Sequence, residues 1–196
     1  MQEIWTRFLK WLQVNAPHLI EYLNAGVSTN DLETLEKSIG KPLPIDFVEF
    51  YKIHDGQNRE PGPECLIDAE ELLSTENIVF HSEKWKSLVA DNTFVYLGVP
   101  ATSDPDIGVK DDWWNPFWLP FTHDGSGNHI CIDLDPTSDG QYGQIIRMWH
   151  DTPWRELLAP SFKEFILNYL IGLENGKFVY SKDWGLVDKD SAFNEP

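Results

Sequence analysis

The chain has 196 residues and a formal net charge of −17, from 32 acidic and 15 basic side chains. Its hydrophobic fraction of 41% and aromatic fraction of 13% exclude intrinsic disorder and allow one sizeable core. The charge argues against nucleic-acid binding, which needs a basic face, and favours a basic partner or high solubility. No apolar run is long enough for a membrane span and no leader opens the chain, so we expect a soluble cytoplasmic protein. Two cysteines cannot form a disulfide framework.

Two helices are predicted in the first 25 residues. Apolar side chains recur every three or four positions between Gln2 and Leu12, which is the pattern of an amphipathic helix. Pro17 suits the first turn of a second, shorter helix, and Gly26 lies just beyond its end.

Two further helices are predicted before residue 56. Ser28 and Asp31 have the spacing of a capping box, and Gly40 suits the left-handed residue that commonly closes a helix. Pro44 suits the first position of a fourth helix, which we expect to end at Asp55-Gly56.

The pattern changes from helical to strand-like in the second half of the chain. After helical pieces within Glu70–Val89, strands are predicted at Phe94–Leu97, Phe117–Thr122, His129–Leu134 and Gln144–Trp149, and a short one at Cys65–Ile67. Ser161 and Glu164 have capping-box spacing and begin a last helix. Helices followed by clustered, closely linked strands indicate an α+β fold with mostly antiparallel pairing.

The core is predicted to lie between these strands and the fourth helix. Side chains of the strands should pack against Phe47 and Phe50 of that helix or against its neighbours. The strand residues expected there are Trp118, Phe121, Ile130, Ile132 and Leu134.

Three His-Asp pairs are candidate metal ligands: His54-Asp55, His123-Asp124 and His150-Asp151. Imidazole and carboxylate together can bind a divalent metal, as metal-dependent hydrolases require. All three pairs, however, lie at predicted turns or element ends, where Asp commonly caps the backbone. We therefore predict no metal and no cofactor, and retain a metal-dependent hydrolase only as a third hypothesis.

Catalytic motifs are equally weak. The segment Asp124–Asn128 is rich in glycine, but it precedes a strand and lacks the Lys of a phosphate-binding loop, so it predicts a hairpin turn. The segment Asp133–Gly140 resembles a calcium loop, but Ile146 stands where the bidentate Glu belongs. The sequence also contains no nucleophile elbow. We predict no catalytic residue and a protein that is not an enzyme.

Two stretches together resemble the Smi/Knr proteins of the SUKH superfamily. One is Leu35–Phe50, continuing to His54-Asp55-Gly56-Gln57; the other joins Trp118–Phe121 to Asp124–Pro136 and Gly143–Ile146. The resemblance covers Ile4 to Gly172. It implies a single, mostly antiparallel sheet flanked by helices, in one domain over residues 1–176. A C-terminal tail, 177–196, is then either free or packed on that domain.

The resemblance implies protein binding and brings no catalytic residue with it. It also implies structural roles for certain motif positions: Pro44 starts a helix, Gly127 turns a hairpin, and Asp133 and Asp135 bond loop backbone. The full set of these positions is Gly40, Leu43, Pro44, Asp55, Gly56, Pro120, Gly127, Asn128, Asp133 and Asp135.

Two functions follow from this resemblance. Bacterial members of the superfamily are similar to immunity proteins, so the first hypothesis is a cytoplasmic protein that neutralises a polymorphic toxin. Fungal members are similar to cell-wall regulators, so the alternative is a regulatory scaffold in glucan synthesis or signalling. Either function requires a protein partner, and we expect neither nucleic acid nor membrane.

The partner surface is predicted at the densest acidic segment that also carries aromatics. Carboxylates there would steer a basic partner, and exposed tryptophans would anchor it. The candidates are Asp104, Asp106, Asp111, Asp112, Trp113 and Trp114. The competing interpretation is that this loop folds its own aromatics onto the core.

Overall fold

The structure, a computed structural model, describes residues 1–192. Its α-helices are α1 (Gln2–Asn15), α2 (Thr29–Ile39), α3 (Ile45–Tyr51), α4 (Thr75–Ala90), α5 (Phe162–Glu174) and α6 (Lys189–Ala192), and a 3₁₀ helix spans Pro17–Tyr22. Its strands are β1 (Glu71–Leu72), β2 (Val95–Tyr96), β3 (Val99–Pro100), β4 (Asp104–Pro105), β5 (Trp118–Pro120), β6 (Thr122–His123), β7 (His129–Asp133), β8 (Gln144–Met148), β9 (Trp154–Ala159), β10 (Phe178–Ser181) and β11 (Gly185–Asp188).

The helices predicted before residue 56 are present, the second of them as a 3₁₀ helix. Ser28 Oγ accepts a hydrogen bond from the amide of Asp31 at 3.2 Å, and Gly40 closes α2 with a φ of 74°. Pro44 is the N-cap of α3 and not its first helical residue. The helix ends at Tyr51, before the predicted turn, because the Tyr51 carbonyl accepts a hydrogen bond from the loop that precedes α2.

Within residues 1–192, five strands form a mixed sheet in the order β4-β9-β8-β7-β5, and its pairs are antiparallel except β4–β9. The expectation of a single sheet is wrong, because three two-stranded ribbons, β1–β6, β2–β3 and β10–β11, accompany it. One ribbon arises where the predicted strand Phe117–Thr122 divides. The Phe121 amide still bonds to the main sheet, but its carbonyl accepts a hydrogen bond from Leu73, and the next two residues pair with β1.

Two other predicted strands are shorter than expected. Only two residues of Phe94–Leu97 form β2, because Leu97 and Gly98 turn the chain with φ values of 51° and 81°. Two adjacent residues at positive φ match the turn that suits a two-residue hairpin. Cys65–Ile67 makes isolated bridges and no strand.

Apolar side chains are buried against both faces of the five-stranded sheet. The large core lies between one face and helices α1, α2, α3 and α5. The small core lies on the other face and consists of Trp85, Val109, Trp114, Trp118, Cys131, Ile146 and Met148. Along β7 the residues alternate as predicted: Ile130 and Ile132 enter the large core, and Cys131 enters the small one.

The position of Trp118 differs from the predicted core. It lies in the small core, away from Phe47 and Phe50, whereas the other four predicted strand residues lie in the large core. The register explains the difference. Trp118 pairs with Asp133 and Leu119 with Ile132, so Leu119 shares the face of Ile132 and Trp118 points to the opposite side.

The predicted tail contains a hairpin made of β10 and β11. Phe178 and Leu186 belong to the large core, and Gly185 bridges to Cys65. A Cβ atom at Gly185 would lie 2.3 Å from the Cys65 carbonyl oxygen, so this approach requires glycine. Residues 193–196 of the tail lie outside the described residues, and the predicted domain boundary at residue 176 stays a prediction.

The motif residues near the end of α3 hold the start of α4. Both carboxylate oxygens of Asp55 accept hydrogen bonds from Thr75, one from its amide at 2.8 Å and one from its hydroxyl at 3.1 Å. Gly56 has a φ of 63°, and a Cβ there would lie 2.3 Å from the Leu73 carbonyl oxygen. Gly127 turns the β6–β7 connection with a φ of 119°. Three other motif positions, Leu43, Pro120 and Asn128, are buried.

The two motif aspartates at the end of β7 make different kinds of hydrogen bond. Asp133 Oδ1 accepts the Asp135 amide at 2.9 Å, a bond to loop backbone of the kind the resemblance implies. The acceptor bonds of the Asp135 side chain come instead from side chains, Lys110 Nζ at 2.5 Å and Asn115 Nδ2 at 3.1 Å. Asp135 therefore fastens the acidic segment to the end of the sheet.

Candidate binding surface

The predicted partner segment, residues 104–114, runs from the edge strand β4 over the small core. Asp104, Asp106 and Asp111 are exposed, and Asp112 is half-buried. Trp114, by contrast, is buried and Trp113 is half-buried. The expectation of two exposed tryptophan anchors is therefore wrong.

Trp114 is buried because it belongs to the small core that covers this face of the sheet. Trp114 stacks on Trp85 of α4 with ring centroids 4.8 Å apart, and it meets Trp118 edge-on at 6.1 Å. Trp113 lies against Arg155, whose guanidinium carbon is 5.1 Å from the ring centroid. The segment thus folds its own aromatics onto the core, as the competing interpretation supposed.

Three of the four candidate carboxylates also hold the segment in place. Asp106 Oδ2 accepts the Leu157 amide at 2.8 Å, and Asp111 Oδ1 accepts the Ser103 amide at 2.5 Å. Asp112 Oδ2 accepts the side-chain amide of Asn115 at 2.8 Å. Within residues 1–192, Asp104 makes no side-chain hydrogen bond, so it is the carboxylate whose replacement would disturb the fold least.

Several large apolar side chains of residues 96–107 and Trp154 are exposed, and the sequence pattern did not indicate this. Tyr96 is 80% exposed, Leu97 is 87% exposed and Ile107 is 84% exposed. Trp154, which pairs with Asp104 across β4 and β9, is 56% exposed. We call Tyr96, Leu97, Val99, Asp104, Asp106, Ile107, Asp111 and Trp154 the acidic–apolar rim.

The hairpin of the rim is fixed at its base and exposed at its tip. The Phe94 carbonyl accepts the Ala101 amide at 2.7 Å, and the Phe94 ring stacks near Trp85 at 5.7 Å. The hydrophobic run Phe94–Leu97 predicted a strand. Gly98, which can adopt a positive φ, is the sequence signal for the turn that ends this strand.

Arg155 joins the rim to the small core. It is fully buried, donates to the Trp113 carbonyl oxygen at 2.7 Å and lies 5.9 Å from the Trp118 ring centroid. Burial lowers its pKa to about 10, and the guanidinium stays charged at neutral pH. Among the described residues, the Arg155 Nε and the indole nitrogens of three tryptophans in or beside the small core have no acceptor. Those tryptophans are Trp113, Trp114 and Trp118.

The predicted His-Asp pairs do not meet one another. His54 bonds to the Asn24 carbonyl oxygen through Nδ1 at 2.8 Å, so with the bonds of Asp55 that pair serves the fold. His150 Nδ1 lies 2.8 Å from Asn128 Oδ1 and 3.9 Å from an Asp151 carboxylate oxygen.

The structure instead brings together three histidines. Among the described residues, His81, His123 and His129 form the one group of three or more potential metal ligands, with one ligand atom of each within 4.8 Å of the others. Burial lowers the pKa of His81 to about 4 and that of His129 to about 3, so both are neutral at pH 7. The sequence indicates only His123 as a candidate metal ligand. His81 and His129 come from different elements, and no local motif links them to it.

Comparison with known proteins identifies the family. A family model described as SMI1 / KNR4 family (SUKH-1) matches residues 26–168. The chain belongs to the SMI1/KNR4 family. The predicted resemblance is thus confirmed, and the Smi/Knr motif residues described above lie within or beside the matched range.

Three relatives of this SMI1/KNR4 family member are fungal proteins. A cell wall biosynthesis/cell cycle regulator, smi1, of Schizosaccharomyces pombe is 31% identical over 191 residues, covering 93% of this chain and 38% of that protein. A glucan synthesis regulatory protein of Neurospora crassa is 27% identical, covering 91% of this chain and 39% of that protein. A cell wall assembly regulator, SMI1, of Saccharomyces cerevisiae is 25% identical, covering 98% and 46%. The chain therefore spans less than half of each of these three relatives.

These names bear on the two functional hypotheses. The three relatives are regulators of the cell wall or of glucan synthesis, and none of the three is named as an immunity protein. They support the alternative hypothesis and give no support to the toxin-immunity hypothesis. Within residues 1–192, no helix combines the length and the apolar character that crossing a bilayer requires.

Proposed function

We propose that this chain is a non-enzymatic, protein-binding regulator of cell-wall or glucan synthesis. The observation that carries the proposal is the match of 93% of the chain to a cell-wall regulator of Schizosaccharomyces pombe at 31% identity. The relatives are named as regulators and not as enzymes. A regulator of this kind acts by binding, which agrees with the absence of a recognised catalytic motif in the sequence.

The acidic–apolar rim is the surface that we assign to the partner. Exposed Tyr96 and Trp154 offer aromatic anchors, which commonly contribute much of the binding energy, and exposed Leu97 and Ile107 add apolar contact area. The carboxylates Asp104 and Asp111 are exposed, Asp104 pairs with Trp154 across β4 and β9, and the whole chain carries a net charge of −17. A basic protein would therefore be attracted over long range and held by the apolar tip.

The proposal is tested with a chimera, because the chain corresponds to only 38% of the Schizosaccharomyces pombe regulator. The matching segment of that regulator is replaced by this chain, and the chimera is expressed at the native level in cells that lack their own copy. We expect cell-wall glucan content to return to at least half of the difference between deleted and normal cells. A chimera that is present at normal levels but leaves glucan content at the deletion level would contradict the proposal.

A further inference from the structure

We propose that His81, His123 and His129 form a binding site for a borderline transition-metal ion such as Zn²⁺, with one coordination position open to solvent. The site is independent of the proposed regulatory function, because it rests on three imidazoles from three elements and not on any relative. Its ligands come from α4, β6 and β7, beside the small core.

The spacing of the rings fits three ligands around one ion. The ring centroids are 4.3 Å apart for His81 and His123, 5.1 Å for His81 and His129, and 5.2 Å for His123 and His129. Tetrahedral coordination with Zn–N bonds of about 2.0 Å places ligand nitrogens about 3.3 Å from one another. Ligand atoms now within 4.8 Å of each other must close by an ångström or so, which half-exposed His81 and His123 can do by side-chain rotation.

His129 is already oriented as a metal ligand. Its Nδ1 lies 2.7 Å from the Thr122 carbonyl oxygen, so Nδ1 carries the proton and Nε2 carries the lone pair. Histidines that bind metals commonly donate their other ring proton to a backbone carbonyl in this way. The Nε2 atom accepts the Trp85 indole N–H at 3.0 Å, so Trp85 competes with the ion for the same lone pair.

Metal binding would break few existing hydrogen bonds of the other two histidines. Within residues 1–192, His81 makes no hydrogen bond, and His123 Nδ1 accepts a long one, 3.3 Å, from the exposed amide of Gly125. The Gly125 amide is exposed and can hydrogen-bond to water instead. Both side chains are half-exposed, which gives an ion access and leaves a fourth position for water or a partner's side chain.

The charges around the group do not prevent binding. Asp124 follows His123, but its carboxylate accepts hydrogen bonds from the amides of Ser126 and Gly127 and so supplies negative charge without acting as a ligand. Lys84 of α4 supplies the opposite charge to the same group.

The test is calorimetric titration of the full chain, free of any affinity tag, with Zn²⁺ at pH 7. We expect one ion per chain and a higher melting temperature with Zn²⁺ present. His81→Gln and His123→Gln should each weaken binding at least about tenfold, because even changes to groups that only orient a ligand weaken metal binding 10–100-fold. His18→Gln, at an exposed histidine outside the group, is the matched control and should bind like the unaltered chain.

Trp85→Phe separates the proposed ligand set from weaker surface binding. It removes the competing N–H while keeping an aromatic ring against Trp114, so Zn²⁺ affinity should rise severalfold. The proposal is overturned by any of three results: no stoichiometric Zn²⁺ at millimolar concentration, binding that neither His81→Gln nor His123→Gln reduces, or weaker binding in a folded Trp85→Phe variant.

Discussion

The two faces of the sheet bury apolar side chains in different ways. In the large core the polar groups of aromatic residues are paired: the Trp5 indole donates to the Phe50 carbonyl oxygen at 3.2 Å, and the Tyr51 hydroxyl donates to the Leu73 carbonyl oxygen at 2.9 Å. In the small core the Trp85 indole donates to His129, but the N–H groups of Trp114 and Trp118 have no acceptor among the described residues, and neither has that of neighbouring Trp113. Buried polar groups are normally satisfied, and exceptions need an explanation.

From this difference we propose that the large core supplies stability and that the opposite face carries the functional surfaces. Natural sequences satisfy packing and hydrogen bonding together except where function imposes another requirement. The small-core face carries the unsatisfied donors, the histidine group and the exposed apolar rim. The large core, built from the helices, is the part that makes the fold stable enough to carry them.

The largest effect is expected from a buried ion pair at the edge of the large core. Arg147 contacts the buried carboxylate of Glu70, which also accepts the Thr122 hydroxyl at 2.5 Å. Arg147→Met leaves that carboxylate without a cation and should lower the unfolding free energy by about 3–5 kcal/mol. Urea unfolding of the variant and of the unaltered chain measures this loss of unfolding free energy.

The double variant Glu70→Leu/Arg147→Met is the control for this prediction. Replacing both partners removes the stranded charge and should restore most of the lost stability. A double variant as unstable as Arg147→Met alone would show that the pair does not act as a unit.

The same truncation in each core compares how rigidly the two faces of the sheet are packed. Ile132 in the large core and Ile146 in the small core are both fully buried. Ile132→Ala should cost about 3–4 kcal/mol, and Ile146→Ala about 2 kcal/mol, because the smaller core can relax into the space. The two values come from the same denaturant titration. Equal costs would mean that the small core is packed as rigidly as the large one, and no loss at Ile132 would contradict the strand assignment.

Two tryptophans test the hydrogen-bond difference directly. Trp5→Phe removes a satisfied N–H, whereas Trp114→Phe removes one without an acceptor. The loss of ring area is similar, so Trp5→Phe should cost about 1 kcal/mol more, the net value of a typical hydrogen bond. Chemical unfolding of both variants gives the difference. A larger cost for Trp114→Phe would show that its N–H is satisfied after all.

The smallest effect is expected from the Asp135 ion pair, and it depends on pH. Partial burial opposes the charged carboxylate, but the Lys110 ammonium and the Asn115 amide outweigh this and hold the pKa of Asp135 below its ordinary value. As pH falls, the unfolded chain takes up the proton first, so the contribution is complete above about pH 4 and is lost below it.

Asp135→Asn should therefore cost up to about 1 kcal/mol at pH 6, the range of a partly exposed pair, and much less at pH 3. Stability of the variant and of the unaltered chain is compared at both pH values. A difference that does not change with pH would show that the carboxylate charge contributes nothing.

Local signals in the sequence identified the helices well. Ser28 with Gly40, and Ser161 with Glu164, set helix boundaries through bonds made within four residues, and Ser161 Oγ does accept the Glu164 amide at 3.2 Å. Such contacts depend on the local sequence alone, which is why spacing predicts them.

The site was harder to predict because distant contacts decide it. The face of Trp118 depends on its register with Asp133, and the burial of Trp114 depends on α4, which lies far away in sequence. The histidine group needs three elements to meet. Charge and aromatic content located the acidic segment correctly but not the side chains that it exposes.

Two variants of the chimeric regulator test most directly whether the acidic–apolar rim binds the partner. One carries Leu97→Ser and Asp104→Lys in the acidic–apolar rim; the matched control carries Val14→Ser and Glu33→Lys, an exposed apolar and an exposed acidic residue on α1 and α2. Both pairs change the net charge by the same amount. If the rim binds the partner, the rim variant should leave glucan content near the deletion level while the control behaves like the unaltered chimera. Equal glucan content in both, at equal protein levels, would contradict the assignment of the rim.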